Sequence, residues 1–116
     1  MHTVATMNNI LNDFAVGAKD VFGEKLKDVV LFGSYARGDY DDNSDVDLVI
    51  LADISRDEEK NFTDDIVALM AKIDKKYEYV VLLSPIILSY SFFEQWSDII
   101  PFYRAVKNEG VIINAQ

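Results

Sequence analysis

The chain has 116 residues, the size of one ordinary domain, and sets 11 basic against 20 acidic side chains for a net charge of -9. It contains no cysteine, which excludes a disulfide-stapled scaffold, a Cys-based zinc finger and a Cys nucleophile. Half the residues are apolar, as in a globular domain and unlike a disordered one, and the acidic balance opposes a broad nucleic-acid face or an anionic membrane surface.

Met7, Ile10, Leu11, Phe14, Ala18, Val21 and Phe22 recur at steps of three and four, which predicts an amphipathic helix from about residue 3 to 22, stopped by Gly23. Asp28 to Phe32 (DVVLF) reads as a buried strand ending at Gly33. Ser34 to Tyr40 follows directly as a short helix, and Asp41, Asp42, Asn43 and Ser44 form a turn. Asp45 to Leu51 (DVDLVIL) is the second strand. Ser55 and Glu58 make a capping box that opens a helix with Phe62, Ile66, Leu69, Met70 and Ile73 as its buried stripe. That helix ends near Lys75 and Lys76, where cations suit the C-terminal dipole. Tyr77 to Leu83 (YEYVVLL) is expected as the third strand, broken by Ser84 and Pro85. Ser91 and Glu94 form a second capping box. The helical stretch that follows restarts at Pro101 and runs to about Asn108. Gly110 ends it, and Val111 to Ile113 form a short last strand.

This order predicts an α+β or α/β sandwich with a small mixed β-sheet and a hairpin-like pair of strands carrying helices on one side. No repeat, linker or low-complexity tract divides the chain, so residues 1–116 are expected to be a single domain. No apolar run approaches the roughly 18 residues of a membrane span. The N-terminus shows no basic segment followed by an apolar core, so a cytoplasmic location is expected.

The chemistry is concentrated in Gly33 to Leu48, GSYARGDYDDNSDVDL. Gly33-Ser34 stands between a strand and a helix. Glycine permits close backbone approach, and unpaired N–H groups at a helix start favour an anion such as phosphate. The Ser34 hydroxyl adds a hydrogen bond to that anion, or else it only caps the helix. Asp45 and Asp47 alternate at a strand start, which puts both carboxylates on one face. Two carboxylates that close repel unless a cation lies between them, and magnesium prefers such oxygens. Glu78 interrupts an apolar run. If its strand lies beside the Asp45–Asp47 strand, three carboxylates converge, the inventory for two-metal displacement at phosphorus. Otherwise Glu78 is an edge-strand charge. Arg37 either contacts a phosphate or pairs with Asp39 or Asp41. Trp96, Phe92, Phe93, Phe102 and Tyr103 pack a core or form an exposed patch. His2, near the terminus, is given no role.

Gly33-Ser34, ten intervening residues, then Asp45-Val46-Asp47 resembles the signature of the DNA polymerase beta-like nucleotidyltransferase superfamily. The fuller string GSYARG…SDVDL, with the closing PFYRAVKNEGVII, is similar to its smallest branch, the minimal nucleotidyltransferases. The resemblance implies a polymerase beta-like core, a small mixed sheet flanked by helices. It implies that Gly33 and Ser34 hold the triphosphate of ATP or another NTP. It implies that Asp45 and Asp47 bind Mg2+ in a two-metal site. It assigns the third acidic position to Glu78, where the family usually has Asp, as a metal ligand or proton acceptor.

The leading expectation is a nucleotidyltransferase that moves a nucleotide monophosphate onto a hydroxyl. The chain has little room for a separate acceptor-recognition module. By resemblance the acceptor is a HEPN-domain toxin, adenylylated at a tyrosine by this chain as its antitoxin. Two alternatives stand beside it. One is a small-molecule nucleotidyltransferase, with an acceptor site built across a homodimer. The other is a non-catalytic, nucleotide-binding or steric antitoxin.

Overall fold

The computed structural model describes residues 3–113, so His2 lies outside the described residues. A four-stranded mixed sheet organises them. In chain order the main elements are α1 (Val4–Phe22), β1 (Leu26–Phe32), α2 (Ser34–Arg37), β2 (Val46–Ala52), α3 (Thr63–Lys76), β3 (Leu83–Ser89), α4 (Tyr90–Trp96), α5 (Pro101–Glu109) and β4 (Val111–Ile113). Short 3-10 turns at Gly23–Lys25 and Arg56–Phe62 precede β1 and α3. The strand order is β3-β2-β1-β4. β1 runs antiparallel to β2 and β4, while β2 and β3 are parallel.

Strand alternation splits the core in two. Val29, Leu31, Val46, Leu48 and Ile50 pack beneath α1 and α3, with Ile10 and Phe14 fully enclosed. Val30, Val49 and Leu51 face the other way and meet Phe93, Tyr103 and Val106 of α4 and α5. The two central strands are thus buried on both faces, which is why they read as nearly continuous apolar runs. The helices occupy both faces of the sheet, not one.

The long helices follow their sequence signals. Thr3 caps α1, its hydroxyl accepting the Thr6 N–H. The Ser55–Glu58 capping box is present, but it opens the 3-10 turn from which α3 then continues. The second expected box fails. Ser89, not Ser91, caps α4 and accepts the Phe92 N–H, while Ser91 lies inside the helix.

The third strand is displaced from its expected place. Tyr77 to Leu82 is not a strand, and β3 starts at Leu83, where its register beside Val46 of β2 begins. The N–H groups of Tyr77, Glu78 and Tyr79 turn back to carbonyls of α3. Glu78 and Tyr79 have φ of 57° and 56°, a left-handed conformation that cannot extend a strand. The Tyr77 hydroxyl donates to Asp13 on α1 at 2.7 Å, pinning the turn to the helical layer. Pro85 sits within β3, where proline was expected to end the strand. An edge strand tolerates it because only one side of the ladder needs donors.

Candidate active site

The site lies where the end of β1 meets the start of β2. Phe32 is paired with Asp47, so the strand that leads into Gly33 delivers that glycine against the second aspartate. Gly33 has φ 75° and ψ -151°, a conformation open essentially to glycine alone. A Cβ there would collide with Asp47 Oδ2. Backbone and carboxylate therefore approach as closely as the absence of a side chain permits.

Gly33 is also the N-cap of α2, its carbonyl accepting the Ala36 and Arg37 N–H groups at 3.1 Å. Ser34 is the first helical residue and caps nothing, which leaves its hydroxyl to a ligand. The helix is a single turn of four residues, shorter than the expected Ser34 to Tyr40. Its dipole is correspondingly small, so an anion placed there would depend mainly on local N–H groups and the Ser34 hydroxyl. Gly38 closes it in the left-handed conformation. Tyr35 and Tyr40 stack with ring centroids 4.2 Å apart, folding the acidic loop back on the helix.

Asp47 lies on the α4/α5 face of β2, in line with Val49 and Leu51. Asp45 is exposed and just precedes the strand. Partial burial, reinforced by the charge of Asp45, holds the Asp47 carboxyl above its usual range, and Arg37 opposes the shift. Arg37 itself pairs with Asp39 at 3.3 Å and approaches Glu109 of α5 at 3.9 Å. Its side chain is 47 % exposed, so these pairs are weak and exchangeable for a phosphate.

Glu78 does not join this pair. It is exposed in the turn after α3, and the β3 residue beside Asp47 is Ser84. Among the described residues no three His, Asp or Glu side chains converge as a metal would require. The expected set of three carboxylates is thereby corrected to two, because the strand that was to carry the third begins five residues after Glu78. Asp45 and Asp47 still suit magnesium, which binds through one or two carboxylates and completes its octahedron with water and substrate phosphate.

A cavity of about 180 Å³ adjoins Asp47 on the same face. Val49 forms its floor with the adjoining Leu48 backbone, Phe32, Ser84 and Ile86 its sides, and Phe102 of α5 closes over it. Sequence reasoning missed Ser84 and this cavity. Reading Pro85 as an edge-strand residue is the signal that would have found Ser84.

Residues 17–110 match the family model of the nucleotidyltransferase domain. The chain belongs to this family. The matched stretch takes in the mixed sheet from β1 to β3 and the helices packed on it. Two proteins of Methanocaldococcus jannaschii are close in sequence. "Putative protein adenylyltransferase MJ0604" is 32% identical over 106 residues, covering 89% of this chain and 93% of that protein. "Putative protein adenylyltransferase MJ0141" is 40% identical over 79 residues, covering 67% and 75%. Among solved structures, a crystal structure of the toxin-antitoxin MntA-HpeT superposes with a TM-score of 0.51 at 16% identity, covering 90% of this chain and 73% of that one. This last likeness is one of fold. No described helix of this nucleotidyltransferase is long and apolar enough to cross a membrane.

Proposed function

We propose that this nucleotidyltransferase transfers AMP from ATP to a hydroxyl of a partner protein. The observation that carries the reading is the Asp47 carboxylate set against the Gly33 backbone, beside the uncommitted Ser34 hydroxyl. Gly33 and Ser34 bind the triphosphate, and Arg37 leaves Asp39 to neutralise it. Asp45 and Asp47 hold Mg2+, which when bound neutralises phosphate charge. The acceptor oxygen forms a bond to the α-phosphorus, and the bond from that phosphorus to the α,β-bridging oxygen breaks. Pyrophosphate leaves, and the hydroxyl proton passes to water at the carboxylate pair. The chain's work is positioning and charge placement, the main needs of phosphoryl-type transfer.

Two relatives that carry the name protein adenylyltransferase favour a protein acceptor. The partner follows from the GSYARG…SDVDL resemblance. It is a HEPN-type toxin, met in the cytoplasm by this chain as a one-domain antitoxin. The net charge of -9 fits a basic partner. The test is transfer of labelled α-phosphate from each NTP, with magnesium, to the co-purified partner. Wild type is expected to label it from ATP, and Asp45→Asn with Asp47→Asn is expected to abolish the label while the complex persists. A partner neutralised equally by both, without label, overturns the enzyme reading in favour of a steric antitoxin.

A further inference from the structure

We propose that the Phe32–Phe102 cavity receives the nucleobase and recognises it by stacking and shape, without reading its hydrogen-bonding edge. The inference rests on the reading of Gly33, Ser34 and Asp47 as the triphosphate and metal site. The cavity is continuous with that site, because Asp47 is one of its walls. It therefore lies within reach of whatever is attached to the α-phosphate.

Its chemistry is one-sided. Phe32, Val49, Ile86 and Phe102 supply an apolar lining, and Asp47 and Ser84 are its polar side chains. Both of those stand at the end where β2 and β3 pair, Asp47 opposite Ser84. That is the phosphate end. Deeper along β2 the floor is Val49, two residues on, with Ile86 alongside. The Phe102 ring meets Phe32 edge-on, with centroids 5.6 Å apart, and remains 42 % exposed. The perpendicular pair gives a flat ligand an aromatic surface to stack on. A volume of about 180 Å³ admits one ring system. Adenine and guanine differ in the donors and acceptors of their edges, and a site tells them apart only with polar groups placed to match. Here the far end holds no polar side chain. Stacking on an aromatic ring is indifferent to those edges, because every base has a π-face. The cavity thus favours purines over pyrimidines by area and treats the two purines alike.

The experiment measures equilibrium binding of ATP, GTP, CTP and inorganic tripolyphosphate by calorimetry, with magnesium, to wild type, Phe102→Ala and Phe102→Trp. ATP and GTP are expected to bind within about fivefold of each other, and both more tightly than CTP. Phe102→Ala is expected to weaken ATP about tenfold and leave tripolyphosphate unchanged, with Phe102→Trp restoring ATP. Far tighter binding of ATP than GTP overturns edge-blind recognition. Equal ATP affinity in wild type and Phe102→Ala, with tripolyphosphate still bound, overturns the base pocket. So does a Phe102→Ala variant that loses only its affinity for the acceptor protein during transfer. Failure of wild type to bind tripolyphosphate or any NTP instead defeats the triphosphate site, and the base pocket with it.

Discussion

Gly33→Ala is the most informative single substitution because it acts on backbone and carboxylate together. At φ 75° and ψ -151° an alanine suffers about 1–3 kcal/mol of backbone strain. Its Cβ also strikes Asp47 Oδ2, an overpacking contact that brings the total to about 2–4 kcal/mol. A domain of ordinary stability survives this, but melts about 8–16 °C lower at roughly 4 °C per kcal/mol. The carboxylate must also move, and a displacement of about 1 Å lowers transfer about 100-fold. Gly38→Ala is the control. Gly38 has φ 83° and nothing within 4 Å of an added Cβ, so strain alone remains, about 1–2 kcal/mol. Thermal unfolding followed by circular dichroism, with the labelled-phosphate assay alongside, reads both effects. Gly38→Ala is expected to melt somewhat lower and to transfer normally. If the two variants lose equal stability and both keep full activity, Asp47 is not held against the Gly33 backbone and the account of the site is wrong.

Other perturbations test separate parts of the argument. Burial and Asp45 raise the Asp47 carboxyl above its ordinary 3.8, so ionising it destabilises the fold as pH rises through the shifted value. Asp47→Asn is therefore expected to raise Tm at pH 7 but not at pH 3, while abolishing transfer; a lower Tm at pH 7 contradicts this. Asp13 behaves oppositely. Burial pushes its carboxyl up, but hydrogen bonds from Lys76 at 2.8 Å and Tyr77 at 2.7 Å, aided by the Lys76 and Lys72 charges, bring it below 3.8. Its stabilisation is present above that pH and is lost as pH falls through the lowered value. Asp13→Asn is expected to cost about 1 kcal/mol at neutral pH, and its deficit against wild type in denaturant titrations should narrow as pH falls through the lowered value. Ser89→Ala removes the α4 cap and a hydroxyl that is almost fully buried. A loss of about 1 kcal/mol in chemical denaturation is expected, with nucleotide binding unaffected, because α4 does not line the Asp47 cavity.

Much of the molecule is local physics and can be read along the chain. The 3.6-residue recurrence of Met7, Ile10, Phe14 and Ala18 makes α1 whatever surrounds it, and all four are buried. DVVLF and VDLVIL are too apolar to be anything but buried strands, and the glycine between β1 and α2 marks a place where something comes close. The Gly33-Ser34 and Asp45-x-Asp47 spacing carried the family for the same reason. Consecutive strands joined by one short helix bring those segments together through neighbouring sheet pairing alone.

What depended on tertiary structure was every choice between near-equal local alternatives. YEYVVLL and LSPIILS are both plausible strands. The second is chosen because the Tyr77–Asp13 hydrogen bond and the turns off α3 spend the first on a connection, and because an edge position forgives Pro85. That shift of register removed Glu78 from the site and put Ser84 beside Asp47. Ser89 and Ser91 are equally good caps in isolation, and the end of β3 decides between them. The Phe32–Phe102 cavity joins residues from well-separated stretches of the chain. No local pattern encodes it, since it exists only where α5 packs back across the face that β1 and β2 present.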